Sequence, residues 1–159
     1  MNLNDKNKYL LYGKQCVDEK DIQSVIQVLK SDYLTTGPVS QEFENDFSKY
    51  IGAKYSVSCS SGTAGLHLSL LAIGITSPSK VIVPAISFLA TANACKYVGA
   101  EVEFCDIDEN TGLLDLSHLE DILEKDTSNL IKAICPVHLN GQCADIQMIS
   151  TIAKKHNLF

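Results

Sequence analysis

Ser60-Ser61-Gly62-Thr63-Ala64-Gly65 puts three hydroxyls and two glycines into six consecutive residues. Such a stretch can hold an anion where a chain turns from strand to helix. The first amides of a helix have no partner inside it, the helix dipole favours negative charge there, and Ser and Thr hydroxyls add donors. Glycines at 62 and 65 let the backbone approach a ligand closely. A second reading stays open: the same residues make an ordinary Ser/Thr helix cap. The chain holds no G-x-x-x-x-G-K-[ST] and no G-x-G-x-x-G, so a nucleoside triphosphate or a dinucleotide is poorly supported. A single phosphate on a cofactor fits what remains.

Other residues could do chemistry in isolation. Cys135 and His138 stand three apart, a spacing that can bind zinc, but no second pair accompanies them and zinc is not expected. The six cysteines, at 16, 59, 95, 105, 135 and 143, have irregular spacings and form no C-x-x-C. Most lie in apolar patterns, and reduced core thiols of a cytosolic protein are the expectation. His138 follows an expected strand, where either a hydrogen-bonding role at a site or a satisfied structural role is open. His67 lies along an apolar helix and reads as packing; His118 and His156 are expected at the surface.

The elements that must position these residues follow from periodicity. Tyr55–Cys59 alternates and is rich in β-formers, so 54–59 reads as a strand feeding the turn. Leu66, Leu68, Leu70, Leu71 and Ile73 then run as a helix over 63–73 to the stop at Gly74. The rhythm repeats. Strand 80–85 precedes helix 87–98, ended by Gly99, and strand 101–106 precedes helix 118–125, with Ser117 and Glu120 as a capping box. Strand 131–137 precedes helix 145–156, with Asp145 at its start. Upstream, residues 1–17 read as an extended arm. Asp18 caps a helix to about Ser31, and a second helix carries Phe43, Phe47 and Tyr50 up to Gly52. Strands alternating with helices imply α/β: a parallel sheet covered on both faces, with ligands at the carboxyl ends of its strands. The loops that matter are then 60–65, 85–91, 106–112 and 137–144. Leu158-Phe159 reads as the opening of a further strand, so the expectation is a domain whose later strands are missing.

Composition narrows the class. The chain has 159 residues, 45% hydrophobic and 20% charged, ordinary for a globular protein. Its net charge is −6, from 13 basic and 19 acidic residues, with no basic cluster. Nucleic acid and an anionic membrane surface are therefore disfavoured. No apolar run is long enough to span a membrane. Met1–Lys8 lacks the apolar core of a signal peptide, which sets the expectation of a cytoplasmic protein.

Seven segments in order resemble one family: Tyr12-Gly13-Lys14-Gln15, Leu34-Thr35-Thr36-Gly37-Pro38, Phe43-Glu44, Ser61-Gly62-Thr63-Ala64-Gly65-Leu66-His67, Phe88-Leu89-Ala90-Thr91-Ala92-Asn93, Asp106-Ile107-Asp108 and Pro136-Val137-His138, the last continued by Gly141 and Asp145. From about residue 10 onward the chain resembles the N-terminal part of the DegT/DnrJ/EryC1/StrS sugar aminotransferases, pyridoxal-phosphate enzymes of fold type I. The resemblance implies an N-terminal arm with helices over 1–52, then over 53–159 the first half of the cofactor-binding large domain. It implies pyridoxal 5'-phosphate, with Thr63 and Ala64 at its phosphate and Phe88 stacked on its ring. Gly62 and His138 join this set by their place in the turn and after the strand. For Phe88 a core aromatic at the start of a helix is the alternative. Tyr12, Thr35, Thr36, Gly37 and Ser61 match positions that contact a nucleotide-sugar substrate, although 35–38 is also a plain turn by composition. Within the family the chain is most similar to a subgroup of pseudaminic acid biosynthesis. That subgroup forms UDP-4-amino-4,6-dideoxy-N-acetyl-β-L-altrosamine from the 4-keto sugar, with glutamate as the usual amino donor. Family members are homodimers.

Transamination also needs a lysine to hold the cofactor aldehyde as a Schiff base and a carboxylate on the pyridine nitrogen. The family supplies both from motifs beyond those matched here. No lysine of this chain has the family's setting: Lys54 and Lys80 lead into strands, and Lys154 and Lys155 sit on a polar helix face. The expectation is that these 159 residues cannot transaminate by themselves. Two other readings remain open: a sugar dehydratase of the same fold with histidine replacing the lysine, and a non-catalytic phospho-ligand binder.

Overall fold

The computed structural model describes residues 13–159, so Tyr12 lies outside the described residues. The chain divides into two compact units at the Ser58–Cys59 bond.

In the first unit, Asp18 begins α1 (Glu19–Leu29). Its carboxylate accepts from the amides of Lys20 and Asp21, and the Asp21 carboxylate accepts the Asp18 N–H at 2.9 Å. This reciprocal box satisfies the first amides of the helix. Residues 30–37 then break the helical pattern. Thr36 takes a positive φ of 47°, unusual for a β-branched residue. Gly37 precedes α2 (Pro38–Ile51); a Cβ there would meet the Tyr33 Cβ at 2.7 Å, so only glycine fits. Proline at the first helical position and left-handed Gly52 (φ 70°) close the two ends of α2.

The expected strand 54–59 is not formed. These residues pair with no strand, because the alternation that makes a segment extended does not supply a backbone partner. Side-chain bonds to α2 hold it instead: the Ser58 N–H and Oγ donate to the Glu44 carboxylate at 2.8 and 2.7 Å, and the Ser56 Oγ donates to the Glu44 carbonyl.

The second unit alternates helix and strand: α3 (Gly62–Ala72), β1 (Lys80–Pro84), α4 (Ala90–Tyr97), β2 (Glu101–Cys105), α5 (Leu116–Lys125), β3 (Ile131–Ile134) and α6 (Ile146–Lys155). The strands form one parallel sheet in the order β2-β1-β3. Val81 and Val83 face one side, where α3 and α4 bury Leu70, Ala94, Cys95 and Val98 against them. Ile82 faces the other side with Leu119 and Leu123 of α5 and Ile149 and Ile152 of α6. β1 is buried on both faces, and its run Val81-Ile82-Val83 is apolar throughout, as a central parallel strand requires. Phe159 bonds to β3 as a parallel neighbour would: its N–H donates to the Lys132 carbonyl (3.0 Å) and its carbonyl accepts from Ile134 (2.9 Å).

Three local expectations change. α5 is capped by Asp115, not by a Ser117/Glu120 box. The Asp115 carboxylate accepts from the amides of Ser117 and His118, and takes the Ser117 hydroxyl proton at 2.6 Å. A carboxylate is the stronger acceptor at a helix N-terminus. α4 begins at Ala90 rather than 87, leaving Ser87–Leu89 in the loop. Cys95 and Cys105 are buried and Cys135 is half-buried, but Cys16, Cys59 and Cys143 are exposed, and all six thiols are free.

Candidate functional site

In a parallel sheet the connecting helices run back against the strands, so strand carboxyl ends and helix N-termini share one edge. α3 precedes β1 through the short link 73–79, and its N-terminus reaches that same edge. The residues gathered there are Gly62–Ala64 at the start of α3, Ile86–Leu89 after β1, Asp106–Asn110 after β2 and Pro136–Gln142 after β3.

The 60–65 turn caps α3, as one of its two open readings expects. Ser61 is the N-cap of α3: its Oγ accepts the Ala64 N–H at 3.1 Å, and its carbonyl accepts from Gly65 at 2.9 Å. That satisfies the third and fourth amides. The first two, on Gly62 and Thr63, have no partner among the described residues, and they point out of the helix end as an anion would need. A Cβ at Gly62 would meet nothing within 4 Å, so the face in front of the turn is open.

Phe88 is 77% exposed in this chain. With Ile86 and Leu89, also exposed, it offers an apolar surface beside the helix end. His138 has its Nδ1 accepting the Ala144 N–H at 2.9 Å. With Nδ1 accepting, a neutral ring carries its proton on Nε2, and the structural role is the one formed among the described residues. His118 is not a free surface residue: half-buried, its Nδ1 accepts the Asp106 N–H at 2.9 Å. It braces the loop after β2, a role invisible in spacing because the partner is a backbone amide twelve residues away. His156 is half-buried too. His67 packs edge-on against Tyr97, ring centroids 5.5 Å apart, as expected of a packing residue.

The loop after β2 is acidic but self-satisfied. Asp108 accepts from the amides of Asn110 and Thr111, and its carboxyl is held below the usual range by the Thr111 side chain and amide, then by Asn110. Asp115 is lowered by the Ser117 hydroxyl and the amides of His118 and Ser117. Among the described residues no cluster of His, Cys, Asp and Glu could hold a metal ion, and no helix is long and apolar enough to cross a membrane.

The amines lie elsewhere in this unit. Lys80 opens β1 at the amino edge and pairs with Glu103 at 3.0 Å. Lys96, Lys125, Lys154 and Lys155 occupy the last turns of α4, α5 and α6, again at the amino edge. Lys132 lies within β3. None stands on a loop after a strand. Thr35, Thr36 and Gly37 sit together in the first unit, on the connection between α1 and α2.

Comparison with known proteins identifies the family. Residues 15–159 match the model of the DegT/DnrJ/EryC1/StrS aminotransferase family. The spore coat polysaccharide biosynthesis protein SpsC of Bacillus subtilis is 39% identical over 154 residues, covering 97% of this chain and 39% of SpsC. The UDP-4-amino-4-deoxy-L-arabinose–oxoglutarate aminotransferase of Shewanella sediminis is 35% identical over 152 residues, covering 96% of this chain and 38% of that protein. The crystal structure of NtdA from Bacillus subtilis, with bound cofactor PMP, superimposes with a TM-score of 0.79 at 34% identity, covering 86% of this chain and 31% of NtdA. The chain thus spans 38–39% of the length of these two curated relatives.

Proposed function

This chain belongs to the DegT/DnrJ/EryC1/StrS aminotransferase family, and from that premise we propose that it forms the phosphate-gripping and ring-covering part of a pyridoxal-phosphate sugar aminotransferase. One observation carries the reading: two amides at the N-terminus of α3, without a partner among the described residues, open onto the carboxyl edge of the sheet, the edge that also bears Phe88.

When bound, pyridoxal phosphate supplies an electron sink that lets an amine and a carbonyl exchange places. The chain's own residues bind and orient. The Gly62 and Thr63 N–H groups, with the Thr63 hydroxyl, hold the phosphate dianion in the turn that also contains Ala64. Phe88 covers one face of the ring and excludes water from it. His138 donates its Nε2 proton to an acceptor on the ligand. Tyr12, Thr35, Thr36, Gly37 and Ser61 hold the sugar nucleotide. The amine that takes the cofactor aldehyde does not come from residues 59–159, whose lysines lie within β3 or at the far edge of the sheet. By themselves these residues do not transfer amino groups.

The finer reading is a cytoplasmic homodimer that aminates a UDP-linked 4-keto-6-deoxy sugar with glutamate as donor, in pseudaminic acid or a related surface glycan pathway. The relatives named for a spore coat polysaccharide and for UDP-4-amino-4-deoxy-L-arabinose and oxoglutarate support a sugar substrate and that donor. The test supplies 15N-glutamate, pyridoxal phosphate and UDP-4-keto-6-deoxy-N-acetyl-β-L-altrosamine to the full-length protein. Appearance of 15N in a UDP-amino sugar is expected. Turnover of other 4-keto nucleotide sugars but not this one overturns the subgroup, and release of a deoxy sugar without nitrogen uptake overturns aminotransfer.

A further inference from the structure

The second unit opens with Cys59, a free, exposed thiol that the site leaves without a role. Its Sγ donates to the Ser61 carbonyl at 3.2 Å. The same carbonyl accepts the Gly65 N–H at 2.9 Å, the first bond of α3. A carbonyl oxygen has two lone pairs, and here it has two donors, one inside the helix and one outside it. The sulfur also lies along the first turn, since a Cβ on Gly65 would stand 3.4 Å from it. Cys59, Ser61, Gly62 and Gly65 all belong to one compact unit. What the two bonds hold is a plane. The Ser61 carbonyl and the Gly62 N–H are the two ends of one peptide group, which is planar and trans, so they point in opposite directions. Whatever aims the carbonyl along α3 aims the Gly62 N–H out of the helix end, where it has no partner among the described residues. The bond from Gly65 is a terminal one, and helix ends fray. The thiol bond comes from the residues before the helix and holds the same plane when the terminal bond opens.

We propose that Cys59 is a positioning residue for phosphate binding: with the Gly65 N–H, its thiol locks the peptide plane between Ser61 and Gly62, so that the Gly62 amide faces the phosphate before the ligand arrives. The inference rests on the phosphate role given to that turn. Its physical basis is pre-organisation. A donor that must be ordered on binding loses part of its affinity to that ordering, and a donor ordered beforehand does not. A thiol is a weak donor, so Cys59 tunes the affinity and is not a condition for folding. It acts through the peptide group it holds, not on the ligand.

The experiment measures, by isothermal titration, the affinity of the full-length protein and its variants for pyridoxal phosphate and for pyridoxal, which lacks the phosphate. The readout is the ratio of the two affinities, the phosphate preference, alongside the melting temperature. Cys59→Ala removes the donor and is expected to lower the preference about two- to fivefold, the strength of one S–H···O bond. Cys59→Val refills the volume against Gly65 without a donor and is expected to match Cys59→Ala; it also gives the comparison should the alanine variant fail to fold. Cys59→Ser returns a hydroxyl donor and is expected to restore most of the preference. In a Gly62→Pro background, where the aimed amide is gone, Cys59→Ala is expected to lower the preference little further. A sulfur that merely packs would leave the preference intact in Cys59→Val, or would lower the melting temperature and weaken both ligands equally in Cys59→Ala. Either result overturns the proposal, as does a full further loss in the proline background. A parent protein with no phosphate preference overturns the phosphate role of the turn itself; a parent with the preference and variants that all keep it overturns only the role of Cys59.

Discussion

Gly62→Pro separates the binding role of the α3 turn from its structural role. Proline deletes one amide N–H and little else at this position. Gly62 is the first residue of α3, where proline's fixed φ is pre-organised and its missing N–H was never part of the helix. The residue before a proline must be extended, and Ser61 already is, at φ −165° and ψ 163°. An added Cβ meets nothing within 4 Å. Removing glycine's freedom from the unfolded chain should then stabilise the fold by about 0.4–1 kcal/mol, a rise of a few degrees in melting temperature for a domain of about 100 residues. Binding moves the other way. The lost N–H would have donated to a phosphate dianion, a charge-assisted bond of about 1.5–3 kcal/mol. At about 1.4 kcal/mol per tenfold, pyridoxal phosphate should bind roughly 10- to 150-fold more weakly, with pyridoxal unaffected. Isothermal titration with both ligands and a melting curve read the two effects, and Gly62→Ala, which keeps the amide, isolates the N–H. A proline variant that melts as high as the parent and binds pyridoxal phosphate equally well would refute the reasoning.

Further predictions concern stability and exposure. Leu119 is fully buried among the side chains of α5, α6 and β3, so Leu119→Ala should lower the unfolding free energy by about 2–5 kcal/mol; a change under about 1 kcal/mol in urea unfolding would show that the site collapses around the gap. Asp108 and Asp115 have depressed folded pKa values. Their contribution is complete above the unfolded value of about 3.9 and is lost as pH falls through the folded values. The urea midpoint should therefore fall below about pH 4, and less steeply in Asp115→Asn; equal slopes would contradict the hydrogen-bond origin of the shift. Cys16, Cys59 and Cys143 are exposed and should react with a disulfide reagent in the native state. Cys105, pushed up to about 12 by burial and then by Asp115 and Asp106, should react only after denaturation. Cys95 and Cys135, whose pKa values burial also raises, should behave alike.

Periodicity revealed the parallel α/β order because β1 buries a β-branched run and α5 and α6 an apolar stripe, and both patterns are local. The 60–65 turn was legible for the same reason, its hydroxyls and glycines being contiguous. The sheet partner was not: Tyr55–Cys59 alternates like a strand, yet its polar contacts go to Glu44, a choice made by tertiary geometry. The helix cap at Asp115 rather than Ser117 turned on two neighbouring acceptors of different strength. His118 takes a backbone amide twelve residues distant, and Glu44 takes the amide and hydroxyl of a serine fourteen residues distant, pairings that no spacing rule encodes. Phe88 carried no signal of exposure, because an aromatic before a helix is as often core as surface.

Phosphorus NMR of pyridoxal phosphate bound to the full chain, followed from pH 8 to pH 5, tests whether the first turn of α3 grips a phosphate. Free phosphate monoesters take up a proton near a pKa of about 6. Held by the Gly62 and Thr63 amides, the dianion should keep a constant shift across that range, and Gly62→Pro should restore part of the titration. A bound ligand whose phosphorus titrates like free pyridoxal phosphate in the parent protein would contradict it.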